Sequence, residues 1–491
     1  MMASHGRQTR RGLTVVALVL ALAMAALEAT VVATAMPTVT GDLGGIEYYS
    51  WVTTAFMMLS AITVPISGKM ADLYGRKPVL LFGMTVFLLG SAASGAAVSM
   101  PMLIACRALQ GLGAGAMQSM PLTILGDIFG VEERAKMQGF FGAVWGFFGL
   151  VGPLIGGVIV EHVSWRWVFY MNVPFGVAGA ALLVSSFHEN VSREKKPHLD
   201  IVGAAIFASL VSLVLFAAGG HHESGHLLLG VVVLLLGIFI FVERRAIEPM
   251  LPLGLFKSRL IALASVINAA AGGCMFGLLT YVPLYVQGVR HGTPTEAGTS
   301  IAPMLVAWPI ASAIAGRIVI KVGFRALVRT GIGFTAVATL LLAVFAKEGP
   351  WALRSAAVLF GIGMGFVNIA IIIAVQTSVS WEYRGVATAS TMFFRIIGGT
   401  VAVGVMGGVI VAALAMDPTI PKGAASQLLS REGMASIAPE IASRIAGALE
   451  RGLGTVFWII GGLSVVAFIC ALFFPHVRPS NAPSSMPEIK T

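Results

Sequence analysis

An all-α, polytopic membrane fold is predicted by three features of the sequence. Of 491 residues, 57% are hydrophobic and only 11% charged, against about 25% charged in an average soluble domain, so the chain cannot cover itself with a water-facing surface. Its apolar residues come in runs of about 20, the length a helix needs to cross the hydrocarbon core of a bilayer. Lysine and arginine gather in alternate connections between those runs, the asymmetry that orients membrane helices.

The first run, Gly12 to Met36, follows the basic stretch RQTRRG, and the small triplet Ala33, Thr34, Ala35 within it mimics a signal-cleavage site. It exceeds the roughly 7–15-residue core of a signal and is followed by many more runs, so it reads as a span. Further spans are expected near 50 to 67, 78 to 97, 101 to 124, 138 to 160, 167 to 187, 200 to 219 and 227 to 243. After a junction around Lys257, six more lie near 260 to 286, 298 to 320, 327 to 346, 352 to 376, 387 to 414 and 454 to 474. All are helices, because a backbone in lipid must satisfy its own hydrogen bonds. Threading about fourteen spans from a cytoplasmic N-terminus puts Arg10, Arg11, Lys69, Arg76, Lys77, Arg134, Lys195, Arg244, Lys257, Arg317, Arg325, Arg329 and Arg384 inside. The short outer loops keep only Arg166, Arg290, Lys347 and Arg354. Both termini are therefore expected in the cytoplasm of a cell membrane. The long outer loop 415–453 carries MASIAPEIASRIAGALERG, whose pattern reads as an amphipathic helix on the outer surface.

The sequence repeats itself. Gly68-Lys69 with Gly75 is echoed by Gly316-Arg317 with Gly323, the run Gly111, Gly113, Gly115 recurs as Gly361, Gly363, Gly365, and Arg134 is echoed by Arg384. Two homologous six-helix bundles are thus expected, residues 1–190 and 260–491, flanking a two-helix insert with its linkers at 191–259. Parallel repeats of this kind enclose a substrate cavity near the midplane.

Several function classes are excluded or disfavoured by composition. The net charge of +10 does not point to nucleic acid, since no soluble module presents a basic face. Cys106, Cys274 and Cys470 lie in apolar runs and form no disulfide framework. No G-x-x-x-x-G-K-[ST] loop is present to bind a nucleotide, so the energy source expected is a proton gradient and no cofactor. A membrane-embedded enzyme would need a clustered metal or nucleophilic set, whereas the histidines are scattered in loops such as His221, His222 and His226.

Three ionisable residues stand inside apolar spans: Glu28, Arg107 and Arg395. A charge at the bilayer centre costs about 2.5–3.5 kcal/mol on insertion scales, so each is a functional candidate. Glu28 and Arg107 both lie about 10 Å below the outer face at roughly 1.5 Å per residue, so the two can meet if their helices do. A carboxylate withdrawn from water can take a proton from one side and release it on the other as access alternates. The alternative is a satisfied polar pair that only fixes helix packing. Arg107, Gly111 and Gln118 share a helix face, with Gln110 beside it, and that face is expected to line a cavity. Arg395 suits either an anionic substrate group or a role in holding helices. Asn172, Asn268, Asn368 and Gln376 are further intramembrane polar groups, and Tyr281, Tyr285, Trp145 and Phe141 are candidates to line an apolar pocket.

The stretch GKMADLYGRKP at 68 to 78 resembles the loop signature of the major facilitator superfamily in Gly68, Asp72, Gly75, Arg76 and Lys77. LEATVVATAMP at 27 to 37, CRALQGLGAGAM at 106 to 117, GPLIGG at 152 to 157, WRWVFYMNVPFG at 165 to 176 and YVPLYVQGVRHGTPTEAG at 281 to 298 are similar to its fourteen-helix drug:proton antiporter branch. The resemblance covers almost the whole chain. It implies that the 68 to 78 loop latches the outward-open state and that Gly152, Pro153, Gly156 and Gly157 form the antiporter hinge. It also implies that an acid in the first helix and an arginine in the fourth couple proton to substrate. Leu73 and Ile320 depart from the family pattern, so the latch is expected in the first bundle only, and Glu28 stands where most members have Asp.

These readings lead to an expected antiporter of amphipathic small molecules, acting as a monomer in the lipid bilayer, with no periplasmic adaptor identifiable. A dedicated exporter of one endogenous metabolite or lipid is the alternative. Cysteines placed at Ser192 and Ser430 test the threading: an impermeant reagent added to intact cells should label the second and spare the first, and labelling at position 192 would overturn it.

Overall fold

The computed structural model describes residues 9–129, 131–189, 201–218, 225–246, 249, 253–379, 384–421, 423–429 and 437–476. Among these, helices stand where all fourteen spans are expected. They are α1 Arg11–Leu43, α2 Tyr49–Tyr74, α3 Arg76–Gly95, α4 Met100–Ile128, α5 Val131–His162, α6 Asn172–Ser186, α7 Ile201–Ala218 and α8 Gly225–Arg245. The second half adds α9 Arg259–Gly288, α10 Pro294–Val322, α11 Phe324–Phe345, α12 Pro350–Thr377, α13 Arg384–Ala415 and α14 Pro439–Leu472. Ten of them, all but α4, α5, α7 and α8, are long and apolar enough by length and composition to cross a membrane. The fold is all-α: α1–α6 and α9–α14 form two six-helix bundles, and α7 and α8 stand between them in the chain.

The internal repeat is a repeat of contacts. Gly111 and Gly115 of α4 press on the Phe56 carbonyl and the Thr63 side chain of α2, while Gly113, on the opposite face, presses on the Gly83 carbonyl of α3. In the second bundle Gly361 and Gly365 of α12 press on the Met304 and Trp308 carbonyls of α10, and Gly363 presses on the Gly331 carbonyl of α11. Small residues let backbones close to this distance, where dispersion replaces the hydrophobic drive that lipid does not supply. The paired loops match as well. Gly75, between α2 and α3, has φ 95° and ψ 156°, and Gly323, between α10 and α11, has φ 89° and ψ 151°. That left-handed backbone favours glycine at both places.

Each bundle closes its ring in the same way at the end that carries these turns, called here the basic end. Lys77 at the start of α3 donates its Nζ to the carbonyls of Val184 and Phe187 at the end of α6, at 2.9 and 2.5 Å. Arg329 at the start of α11 donates to Ala471 and Leu472 at the end of α14. A cation on the last carbonyls of a helix meets the negative end of its dipole. The insert packs Phe207 of α7 on Phe239 of α8 at 5.7 Å and on Phe393 of α13 at 5.4 Å, and with Ile62 of α2 it covers the α2–α13 seam.

Two expectations are corrected. Helix α1 runs to Leu43 instead of stopping at Met36, because Thr40 at its far end is fully buried in protein instead of reaching water. The amphipathic segment in the 415–453 loop is not a separate surface helix: from Pro439 it is the first part of α14, with Ile445, Ala448, Leu449 and Gly452 buried. Its apolar stripe is covered by protein, and a short helical turn, Ala424–Gln427, precedes it in the same connection.

Gly113→Val and Gly363→Val should each lower the melting temperature of the detergent-purified protein, since overpacking of a tight contact costs about 1–3 kcal/mol. Gly316→Val, where a Cβ meets nothing within 4 Å, should leave it unchanged.

Candidate functional site

Helices α1, α3, α4 and α6 of the first bundle converge on Glu28, whose side chain is completely buried. Its two carboxylate oxygens are held by different helices. Oε1 accepts from Arg107 Nη1 of α4 in a buried ion pair, and Oε2 accepts from Asn172 Nδ2 of α6 at 2.8 Å. Asn172 Nδ2 also reaches Ser91 Oγ of α3 at 3.0 Å, and Ser91 in turn donates to the Phe169 carbonyl at 2.9 Å. Arg107 is shared as well: Nη1 donates to Gln110 Oε1 at 2.6 Å, Nε reaches the Val52 carbonyl of α2 at 3.5 Å, and the guanidinium carbon lies 4.3 Å from the centre of the Phe56 ring. A cation over an aromatic face gains electrostatic stabilisation that grows when water is excluded.

Removing one member of a buried ion pair leaves an uncompensated charge, at a cost of about 3–5 kcal/mol. Both carboxylate oxygens of Glu28 accept from donors on other helices. The arrangement thus ties one side chain to the contacts of four helices. Arg107 lies 7 residues from the start of α4 at Met100, or about 10 Å at 1.5 Å per residue, so the two groups meet at the expected depth, and α1 continues beyond Glu28 to Leu43.

The face of α4 expected to line a cavity packs instead on α2: Gly111 meets Phe56, and Gln118 donates Nε2 to Ser60 Oγ at 3.0 Å. Tyr281 and Tyr285 of α9 are buried in the core, Tyr281 donating to the Val403 carbonyl at 2.5 Å and Tyr285 lying edge-on to Phe457 with ring centres 5.4 Å apart. Phe141 is buried in the first bundle. The Trp145 side chain lies outside the described residues. Arg395 of α13 is half-buried, with Nε and Nη2 on Asn268 Oδ1 of α9 at 3.1 and 2.7 Å and Nη2 on Asn368 Oδ1 of α12 at 2.7 Å.

In the 68 to 78 loop, Arg76 Nε lies 3.2 Å from Asp127 at the end of α4. Glu189, just beyond α6, accepts the backbone N–H groups of Arg76 and Lys77 at 2.9 and 3.1 Å. A carboxylate there satisfies orphan donors at the positive end of α3. Gly68 faces open space, and the Asp72 side chain lies outside the described residues. Sequence reasoning missed Glu189 and Ser91: a single acid past a span and a serine in a span carry no pattern of their own.

Among the described residues, several hydrogen bonds join the two bundles at the end opposite the basic one. Gln287 of α9 donates to the Thr34 carbonyl at 3.1 Å and accepts from Thr38 at 3.2 Å, Tyr49 donates to the Thr280 carbonyl at 2.9 Å, and Thr295 donates to Glu161 at 2.6 Å. The Thr295 hydroxyl holds the Glu161 carboxyl below the usual carboxylate range. The Ile46 amide donates to Ser426 of the loop before α14 at 3.0 Å. The GPLIGG segment belongs to this closure. Gly152 and Gly156 pack on Thr30 and Thr34 of α1, whereas Gly157 meets Pro294 and Thr295 of α10 and the Pro153 carbonyl is met by Gly298 of α10. α5 itself is continuous through Pro153.

Two bundles with a charged, four-helix junction inside the membrane and a seam closed at one end define a multi-pass membrane transporter. A sequence profile described as Major Facilitator Superfamily matches residues 18–403, and the chain belongs to that family. It is 35% identical to the Multidrug transporter protein MdtP of Bacillus subtilis (strain 168), over 99% of this chain and 91% of that one. It is 32% identical to Multidrug resistance protein 3 of the same organism, over 96% of each. Among solved structures it resembles a bacterial homologue of the human lysosomal transporter Spinster in an inward-facing, occupied conformation, with TM-score 0.68 at 14% identity, covering 96% of this chain and 97% of that one. At that identity the likeness concerns the fold.

The shared carboxylate predicts energetic coupling. In a double-mutant cycle of Asn172→Ala and Glu28→Gln read by thermal unfolding, the two effects should be non-additive by about 0.5–3 kcal/mol, the range for groups in one network.

Proposed function

We propose that this transporter is a secondary active, proton-coupled antiporter that exports amphipathic or lipophilic compounds. The observation that carries the reading is the Glu28 carboxylate, buried and shared between Arg107 and Asn172. In this reading the basic end and both termini face the cytoplasm of a cell membrane, in keeping with the lysines and arginines gathered there. The inter-bundle hydrogen bonds then close the outer end, and the molecule stands ready to admit substrate from the cytoplasm or inner leaflet.

Alternating access needs two arrangements of similar energy and a ligand that prefers one of them. A proton at Glu28 supplies such a preference, because it releases Arg107 from its counter-charge and frees the guanidinium to lean on Gln110, Val52 and Phe56. The seam glycines Gly157 and Gly298 support the same reading, since contacts without side chains can part and reform with little rearrangement. In the opposite arrangement the 68 to 78 loop acts as the cytoplasmic latch, with Asp72, Arg76 and Lys77 meeting the second bundle. The names of the Bacillus relatives support export of drug-like molecules as the physiological task.

Glu28→Gln is the direct test. The amide keeps the shape but cannot titrate, so substrate-induced proton release from purified protein and uphill export in vesicles under an imposed pH gradient should both be abolished, while Glu28→Asp retains part of each with a displaced pH profile. If the Gln variant releases protons and exports as the parent does, the pair is a packing element and coupling resides elsewhere.

A further inference from the structure

The two intramembrane arginines are held in opposite ways. Arg107 is buried against Glu28, so its charge is cancelled in place. Arg395 makes no ion pair among the described residues; its partners are the neutral amide oxygens of Asn268 and Asn368. A membrane-embedded guanidinium without a counter-charge is expensive, and the second bundle nevertheless fixes it with care. Asn268 is itself oriented, its Nδ2 donating to the Ala264 carbonyl at 3.0 Å, so that Oδ1 is turned to the guanidinium. Helices α9 and α13 are pressed together on both sides of the contact, Gly272 against the Arg395 carbonyl and Gly398 against the Ala269 carbonyl.

This clamp uses Nε and Nη2 and leaves Nη1 without a hydrogen-bond partner among the described residues. The Asn368 amide is in the same state: its Oδ1 accepts from Arg395, and its Nδ2 makes no bond among them. Both side chains are half-buried. On the basic side of Arg395, Gln376 of α12 donates to Thr388 of α13 at 3.3 Å, which continues the polar lining toward the mouth that the proposed function opens to the cytoplasm. Arg395 lies 11 residues from the start of α13, or about 16 Å in at 1.5 Å per residue.

We propose that Arg395 Nη1 and Asn368 Nδ2 form a receptor for the anionic head of an amphiphile, a carboxylate or sulfonate. The chemistry fits: an oxyanion takes two convergent N–H donors, one of them charged, and such bonds are stronger than neutral ones. Its charge completes an ion pair that the protein leaves half-built, as Glu28 completes the other. The inference rests on the export reading and narrows it from amphipathic compounds in general to a class that includes amphipathic acids.

The test uses the full chain in nanodiscs, with empty nanodiscs subtracted, and two fluorescent probes: 8-anilino-1-naphthalenesulfonate as the anion and ethidium as the cation. Arg395→Gln should weaken sulfonate binding at least about tenfold and leave ethidium within about twofold. Arg395→Lys should fall between parent and Gln, since it keeps the charge and loses the fork. Asn368→Ala keeps the charge and removes the neighbouring donor, so it should weaken the sulfonate several-fold, and it stands as the variant of record if Arg395→Gln does not fold. Sulfonate affinity unchanged in Arg395→Gln, or equal losses for both probes in a folded variant, would overturn the assignment and leave Arg395 as a helix clamp. Export of ethidium by the parent is measured separately in proteoliposomes. Its absence alongside Arg395-dependent sulfonate binding would refute the export reading and keep the anion site, and the reverse pattern would do the opposite.

Discussion

A carboxylate and a guanidinium taken out of water together cannot be separated cheaply, and the first bundle is arranged around that fact. Glu28 holds α1 to α4 through Arg107, and to α6 and α3 through Asn172 and Ser91. Each of these partners has a second commitment, to Gln110, Val52 or the Phe169 carbonyl. The network therefore has few ways to relax, and the loss of one member would be felt in several helices. Low dielectric strengthens such a network when it is satisfied and penalises it when a member is lost. That sensitivity suits a coupling site better than a mere fastening, for which apolar packing would serve as well.

Around this junction the packing within each bundle differs from the packing between them. Within each bundle, α4 and α12 carry three glycines that press their backbones on two neighbours, which makes the bundles tight units. Between the bundles, a buried apolar cluster that joins Val31, Met36 and Val52 to Leu278, Tyr281 and Ile301 is supplemented by small residues and by hydrogen bonds from Gln287, Tyr49 and Thr295. Interfaces of this kind can exchange between two packings, whereas cores cannot deform continuously. The insert α7–α8 covers the seam between α2 and α13 with Phe207 and Phe239.

Much of this was legible in the sequence, for identifiable reasons. Apolar runs and basic loops announce spans because lipid imposes length and charge rules on every membrane helix. The glycine trios and the Gly75 and Gly323 turns were visible as a repeat, and they recur because the same close approach and the same left-handed turn are built twice. Glu28, Arg107 and Arg395 stood out because ionisable groups are rare in apolar runs. What could not be read depends on neighbours brought from far along the chain. Nothing local separates the Ser91 hydroxyl or the Glu189 carboxylate from others, and Gln118 has the same spacing whether its helix face meets a cavity or α2. The polar end of α1 and the apolar stripe in the first part of α14 misled for one reason: protein covers them, where water and lipid surface were assumed.

The account stands on Glu28 as the group whose protonation biases the two arrangements of the bundles. Spin labels at Val163 and Trp351, both exposed at the end where the seam is closed, report that arrangement as a distance distribution measured by pulsed electron resonance across a pH series. In the parent the distribution should redistribute between a short and a long population as pH changes, and in Glu28→Gln it should be the same at every pH. A pH-dependent redistribution that persists unchanged in Glu28→Gln would contradict the claim.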